Sequence, residues 1–429
     1  MGLIETITNE LKINRDDDGA GFSLSPKTKG DPVIWSIVAI LVIMSLLVVY
    51  SSTGTLAYRI NKGNTEYYLV RQVLFILIGV AIIYLTHLID YKWFSRLALW
   101  FYLISIPLLL FTLFFGANLN EASRWIKLPV VNLTFQTSDF ARLALFMYLA
   151  RMLSRKQPVI QDFKEGFLKC LIPIIITCAL IMPANLSTSV LTAATGLLLL
   201  FMGRASIRHI LMAVGIAAIP VMLLIVVAVS SHKSEQVASS SPANNEVVAS
   251  VKKTGRMGTW VNRIQDFIYT SGTEAPYQVQ QAKIAIAKGR WVGLGPGNSE
   301  QRNFLPHPYS DFIYAIILEE YGLIGGMVVL LLYLTFLYRS IIIVRKCPFA
   351  FGTFLALALS VTLVIQAFTN MAVNVGLFPV TGVTLPLVSM GGTSFLFTCF
   401  SIGILLSISR NIEKYEGAYQ PEKVEGGEL

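Results

Sequence analysis

The sequence predicts an all-α polytopic integral membrane protein. It reads as about ten transmembrane helices, with both termini cytoplasmic and one large extracytoplasmic loop holding short interfacial or re-entrant helices. Three observations predict this. The 429-residue chain is 54% hydrophobic and only 14% charged, whereas a soluble domain carries about a quarter charged residues. Apolar runs near the ~20 residues needed to cross a bilayer recur along it. Its cations fall in short runs between those segments, mostly on one side, as the positive-inside bias demands.

In chain order the spans lie at approximately 33–52, 69–88, 97–115, 140–153, 167–182, 189–202, 210–230, 312–333, 351–371 and 394–408. The fourth and sixth are short and borrow polar residues from their outer ends. The resulting divisions are a cytoplasmic tail (1–31), helices one to seven (32–230), the large loop (231–310), helices eight to ten (311–410) and a second cytoplasmic tail (411–429). With the N-terminus inside, inner segments hold about nineteen Lys and Arg and short outer segments about six. The polar first 31 residues predict no cleavable signal peptide. The start Met1-Gly2-Leu3-Ile4-Glu5-Thr6 matches the loose myristoylation pattern by chance, since a multi-span chain needs no lipid anchor. Cys170, Cys178, Cys347 and Cys399 sit in or beside apolar segments without a CxxC pair. They read as packing thiols, with no disulfide framework or metal site. The formal net charge of +9 does not read as nucleic-acid binding, because the cations are spread along membrane loops.

The outer side collects the unusual chemistry. Within the large loop, "SHKSEQVASSSPANNEVVAS" has a linker-like composition and reads as flexible. "YQVQQAKIAIAKG" has helical periodicity, with Val279, Ala282, Ile286 and Ile284 as its apolar face, and suits an interfacial or re-entrant helix. Arg256, Arg263, Lys283, Lys288, Arg290 and Arg302 lie outside against the charge bias. Either an anionic ligand such as a diphosphate holds them there, or they snorkel to lipid phosphates. In "GRWVGLGPGNS", Gly293, Gly295 and Gly297 either let backbone N–H groups approach an anion or make a tight turn. Gln366, Asn370 and Asn374 form a stripe at i, i+4 and i+8, for hydrogen bonding between helices or for lining a cavity. The Gly- and Pro-broken stretch "NVGLFPVTGVTLPLVSMGGTS" needs burial in protein or a wet cavity. Asp311 is the lone acid where the cationic loop enters the eighth span, and an ionised carboxylate so near hydrocarbon marks a function. A helix-start aspartate can also simply cap free N–H groups. Glu319 and Glu320, deeper on other faces, read as structural groups paired with buried donors.

Three stretches together resemble one family. "NEASRWIKLPVVNLTFQTSDFARLALFMYLA", "YQVQQAKIAIAKGRWVGLGPGNSEQRNFLPHPYSDFIYAIILEEYGLIGG" and "NVGLFPVTGVTLPLVSMGGTS" are similar to the signature segments of the SEDS proteins (shape, elongation, division and sporulation), over about 31–414. Thr384 and the long N-terminal tail resemble the division branch more than the elongation branch. The resemblance implies a peptidoglycan glycosyltransferase that polymerises lipid II on the outer face of the bacterial cytoplasmic membrane at the septum. It implies lipid II as substrate, a class B penicillin-binding protein as partner, and other divisome membrane proteins. Asp311 is the implied catalytic base. Arg124, Trp125, Arg256, Gln278, Gln281, Lys283, Gly295, Gly297, Ser299, Gly391, Gly392 and Ser394 are the residues assigned to substrate contact. Glu319, Glu320, Gln366 and Asn370 are assigned structural polar roles. No cofactor is called for, and only a divalent cation is left open. The chain departs from the family pattern at His307 and Tyr309, where the family carries Glu and His. Asp139 and Arg142 replace Glu and Lys, while Asn185, Leu186 and Ser187 lack the family's carboxylate and Thr381 stands where division members often have Lys. A lipid II flippase, a non-catalytic division scaffold and the elongation-type paralogue are the competing readings.

Overall fold

The computed structural model describes residues 30–54, 65–119, 122–128, 133–239 and 276–418, with positions 258, 260, 261, 265 and 269 between them. Among these, eleven α-helices follow in order: α1 Pro32–Ser52, α2 Thr65–Leu88, α3 Tyr91–Phe115, α4 Thr137–Lys156, α5 Leu168–Ile181, α6 Leu186–Met202, α7 Ile207–Ser239, α8 Tyr277–Gly289, α9 Ile313–Lys346, α10 Ala350–Asn374 and α11 Thr393–Ala418. Each of the ten sequence-predicted spans has its helix, and α8 is the amphipathic loop helix. Six of them (α1, α2, α3, α9, α10 and α11) are long and apolar enough to cross a membrane, while α6 and the first part of α7 are shorter apolar helices. The chain is a multi-pass membrane protein. The fourteen-residue α5 is too short for that test, and α4 carries Asp139, Arg142, Arg151, Arg155 and Lys156.

Helices α10 and α11 form the centre: 83% of the apolar window of each is buried, against 39% for α1 and 33% for α2. Those two, with α3, therefore keep broad apolar faces such as Ile43, Leu47, Leu77 and Trp100 on the exterior, where hydrocarbon replaces water as their solvent. The cysteines are free, with Cys170 and Cys399 buried in the packing.

Polar contacts sort the helix ends into two groups. At one end Asp31 caps α1 by accepting from Val33 N–H (3.0 Å) and Ile34 N–H (3.3 Å). The same carboxylate pairs with Arg339 of α9 at 2.6 Å. Gly30 N–H donates to Glu413, and Arg410 of α11 donates to the Leu88 carbonyl. At the opposite end Ser51, the last turn of α1, donates to Glu320.

Helix α9 is not one rod. Gly322 sits at φ 67°, ψ −170°, so the element is two limbs, 313–321 and 323–346. The second limb alone is about 36 Å long, enough to span a bilayer. The apolar run at 312–333 thus mixes a crossing helix with a short limb buried from Phe312 through Glu320. The break frees backbone groups that must find partners at membrane depth. The loop after α8 supplies them: Leu294 and Gly295 N–H donate to the Glu319 and Glu320 carbonyls (3.0 and 2.9 Å), and Leu323 and Ile324 N–H donate to the Arg290 and Trp291 carbonyls (2.9 and 3.2 Å). This approach requires glycine, because a Cβ on Gly293 would lie 2.2 Å from the Glu320 carbonyl oxygen. Helix α8 buries Ala282 and Ala285 together with Gly289, whereas Ile284 is exposed. Of the predicted face, Ala282 is buried and Ile286 packs against the core, Ile284 points away, and the small residues Ala282, Ala285 and Gly289 let the helix lie close on α9.

The purely helical expectation also needs amending between α3 and α4. There a three-stranded antiparallel sheet runs β1 Ala117–Leu119, β2 Ala122–Leu128 and β3 Leu133–Gln136. Trp125 pairs with Gln136 across β2 and β3. Strands this short give too few alternating positions to stand out in the sequence.

Candidate active site

The segment leading into α9 is held by its own main chain. Three successive carbonyls are each taken by a donor from α10 or from the stretch between α10 and α11. Met390 N–H donates to Tyr309 O (2.9 Å), the Ser389 hydroxyl to Ser310 O (2.7 Å), and the side-chain amides of Asn370 and Asn374 to Asp311 O (2.9 and 3.0 Å). The physical reason is reciprocal. Both 304–311 and 375–392 are irregular stretches between membrane helices, so each must satisfy the other's backbone. The stripe on α10 joins them: Asn370 Nδ2 also donates to Val383 O (2.7 Å), and Gln366 Nε2 to Thr384 O (3.1 Å). Of the two readings of the stripe, hydrogen bonding between elements is the one realised.

Asp311 emerges from this clamp half-buried. The cap position of the first α9 limb is Phe312, one residue later. The Tyr309 phenol, two residues before Asp311, lies within electrostatic reach of Tyr68, Asp311 and Arg71. Burial holds the Tyr309 phenol above its usual range, Tyr68 and the Asp311 charge add to that, and Arg71 opposes it. A carboxylate, two phenols and a guanidinium therefore share one neighbourhood at the start of α2 and of α9. Exposed His307 sits beside it, Nδ1 3.3 Å from the Tyr309 hydroxyl.

The structure gathers part of the predicted set here. Gly391 and Gly392 follow Met390 directly, and Gly392 adopts φ 55°. The Thr393 hydroxyl donates to Thr134 O (2.9 Å) and accepts from Gln136 N–H (3.1 Å). That pins β3, and with it half-buried Trp125 on β2, to the start of α11. Lys283 of α8 reaches the turn after Asn374, its Cε 3.3 Å from where a Gly376 Cβ would stand. Gln278 and Gln281 are half-buried on α8. Ser394 faces inward instead, lining a cavity of about 20 Å³ with Asp139, Arg142, Thr362, Thr398 and Ser401. Arg142 is 3.7 Å from Asp139 and donates to Gln366 Oε1 at 2.7 Å. Arg256 and the Arg124 side chain lie outside the described residues.

Other residues assigned to substrate contact lie at the far end of the buried limb, about 12 Å along it from Asp311 at 1.5 Å per residue. The Ser299 hydroxyl donates to Glu319 and its N–H to Glu320 (3.3 Å). Glu319 also accepts from the N–H groups of Glu300 (3.1 Å) and Gln301 (3.2 Å). Arg302 donates to the Gly297 carbonyl (3.0 Å) and to Ser51 O (2.9 Å). Gly295 N–H is committed to Glu320 O. Glu319 thus meets buried donors on both oxygens, whereas Glu320 takes its donors on Oε1 and its buried Oε2 has no hydrogen bond among the described residues. The glycine loop makes a tight, staple-like turn whose N–H groups at 293, 294 and 295 are used inside the fold.

Sequence reasoning did not assign Tyr68, Arg71, Asn374, Ser389 or Met390 to this site. Asn374 had a signal, because it extends the Gln366–Asn370 stripe by one more turn. Arg71 had a weaker one, as an outer cation at the edge of the second span.

A family model described as "Cell cycle protein" (FtsW/RodA/SpoVE) matches residues 31–414. The chain belongs to the FtsW/RodA/SpoVE family. Among family relatives, a protein of Trichlorobacter lovleyi named "Probable peptidoglycan glycosyltransferase FtsW" is 32% identical over 387 residues, covering 89% of this chain and 94% of its own. A protein of the same name from Thioalkalivibrio sulfidiphilus is 33% identical over 410 residues, covering 91% and 92%. A chain from a solved structure titled "Structural coordination of polymerization and crosslinking by a peptidoglycan synthase complex" superposes with TM-score 0.64 at 21% identity, over 91% of this chain and 99% of that one. The rod shape determining protein RodA of Thermus thermophilus superposes with TM-score 0.62 at 20% identity, over 89% and 97%. At those identities the superpositions establish the shared fold.

Proposed function

We propose that this chain is a peptidoglycan glycosyltransferase that polymerises lipid II into glycan strands on the outer face of the cytoplasmic membrane during septal division. The observation that carries the reading is Asp311, main-chain clamped and half-buried, in electrostatic reach of the Tyr309 phenol, which Arg71 also reaches. The reaction joins the 4-hydroxyl of an acceptor sugar to the anomeric carbon of a lipid-diphosphate-linked glycan. The hydroxyl proton passes to Asp311 as the carbon–oxygen bond forms. The bond to the diphosphate breaks, and that group leaves as an anion stabilised by cations. One carboxylate with several Arg and Lys is the inventory this needs, unlike the paired carboxylates of glycosidases. Arg71 and Lys283, with Arg124 and Arg256, are the proposed cations. Gln278, Gln281, Trp125, Gly391 and Gly392 belong to the proposed sugar and peptide contacts.

The relatives' names support the polymerase and division readings. A class B penicillin-binding protein is the proposed partner, supported by the complex to which the fold is similar. A divalent cation stays within the proposal as a companion of the diphosphate. Loss of activity in EDTA, restored by Mg²⁺, supports it. The flippase reading has less support, since the inward-facing cavity at Asp139 is about 20 Å³, room for about one water molecule. Purified protein with its partner, given labelled lipid II in vesicles, separates the readings. Glycan polymer supports the proposal, translocation without polymer replaces it with transport, and neither leaves a scaffold.

A further inference from the structure

The first limb of α9 starts without a cap of its own, since Phe312 occupies the cap position and offers no side-chain acceptor. The position three residues on, Ala315, presents the N–H that a cap side chain ordinarily takes. Here that N–H is shared, donating 3.0 Å to Oδ1 of Asn374, from the last turn of α10, and 3.1 Å to the Phe312 carbonyl. The same amide donates through Nδ2 to Asp311 O (3.0 Å) and Asn370 O (2.8 Å). Its orientation is fixed chemically: one side meets an N–H and the other meets carbonyls, so a flipped amide would oppose like to like. Asn374 is fully buried, at 0% exposure. Asn370 supplies the second amide on the Asp311 carbonyl. The carboxylate's stem thus leaves a carbonyl held by two donors, above a helix capped from a different helix.

We propose that Asn374 is a positioning residue for Asp311, setting the direction in which the carboxylate meets the acceptor hydroxyl by capping α9 in place of a local residue. This rests on the reading of Asp311 as the base. Misplacing a reacting group by about 1 Å costs up to ~10²-fold in rate.

The test uses the full chain with its penicillin-binding partner and lipid II. Asn374→Ala removes the cap on Ala315 and one of the two amides on the Asp311 carbonyl, and Asn374→Ser, which keeps a small polar group, serves if the alanine variant yields too little folded protein. Expected is a ~10- to 100-fold fall in kcat, KM within about two-fold, and a displaced acid limb of the pH–rate profile. In an Asp311→Asn background the same change should have little further effect, because the group it positions is gone. A kcat within two-fold of wild type at equal folded protein, a loss carried wholly by KM, or an equal loss in both backgrounds would overturn the proposal. The parent reading fails separately: if Asp311→Asn alone stays within a few-fold of wild type, Asp311 is not the base, whatever Asn374 does.

Discussion

At Asp311 the main chain and the side chain have separate duties. Its carbonyl is bound to two asparagine amides while its carboxylate acts electrostatically on the Tyr309 phenol. Asp311→Asn therefore removes the proton acceptor without touching the clamp. Polymerisation should fall by about 10²–10⁴-fold, the usual worth of a general base, with lipid II binding and thermal stability nearly unchanged. Activity within a few-fold of wild type, at equal folded protein, would retire the assignment. His307→Asn is the matched control. His307 is exposed and sits at φ 55°, a conformation asparagine tolerates, so activity should stay within a few-fold. The acid itself was legible in the sequence, because a lone carboxylate beside hydrocarbon is costly. Its holders were not, since Ser389 and Met390 meet 309–310 only after two irregular stretches fold together.

At the scale of elements, the break in α9 is the feature composition hid. "LEEYGLIGG" reads as one apolar helix with two acids, and nothing in its periodicity announces φ 67° at Gly322. The acids were the better clue, because carboxylates at the end of a helical limb oppose its dipole and need donors from elsewhere. Ser299, Glu300 and Gln301 provide them. A Cβ on Gly322 would lie 2.4 Å from the Trp291 carbonyl oxygen. Gly322→Ala and Gly293→Ala should each lower the yield of folded protein and destabilise by about 3 kcal/mol or more, by forcing apart the loop and the helix. Gly392→Ala meets open space at a similar φ of 55°, so it should cost only about 1 kcal/mol. Thermal unfolding in detergent ranks the three, and a Gly322→Ala midpoint equal to that of Gly392→Ala would count against the staple.

Over the whole molecule, the multi-span helical architecture and the helix order were readable because hydropathy and cation placement both act at long range, although six of the described helices, not ten, are long and apolar enough to cross a membrane. Asp31, Arg339 and Arg410 meet at one end, as their assignment to one side of the membrane demands, while Asp311 lies at the other. The Asp31–Arg339 pair ties α1 to α9 there, with Asp31 only 4% exposed. Arg339→Met leaves that carboxylate with only its two backbone donors among the described residues and should destabilise by about 1–3 kcal/mol. Asp31→Asn keeps the α1 cap and should cost less. The reverse order in thermal unfolding would mean the pair matters less than the cap.

Orientation is the last link between fold and function, because a base for a polymer grown outside the cell must itself face outward. The charge asymmetry predicts that the loop 231–310 is outside and the end of α4 inside. Long loops cross regardless of their own cations, so the nine Lys and Arg of that loop do not weigh against it. The packing adds an independent constraint. Tyr309 is bonded to Met390, and Thr393 to β3, so the loop's end, the start of α11 and the sheet before α4 must all face one compartment. With the native cysteines replaced, Ser240→Cys should label with a membrane-impermeant thiol reagent on intact cells. Ser154→Cys, in the last turn of α4, should label only after permeabilisation. The opposite pattern would invert the molecule. Asp311 would then face the cytoplasm, and extracytoplasmic polymerisation by this site would be ruled out, whatever the activity of the purified protein.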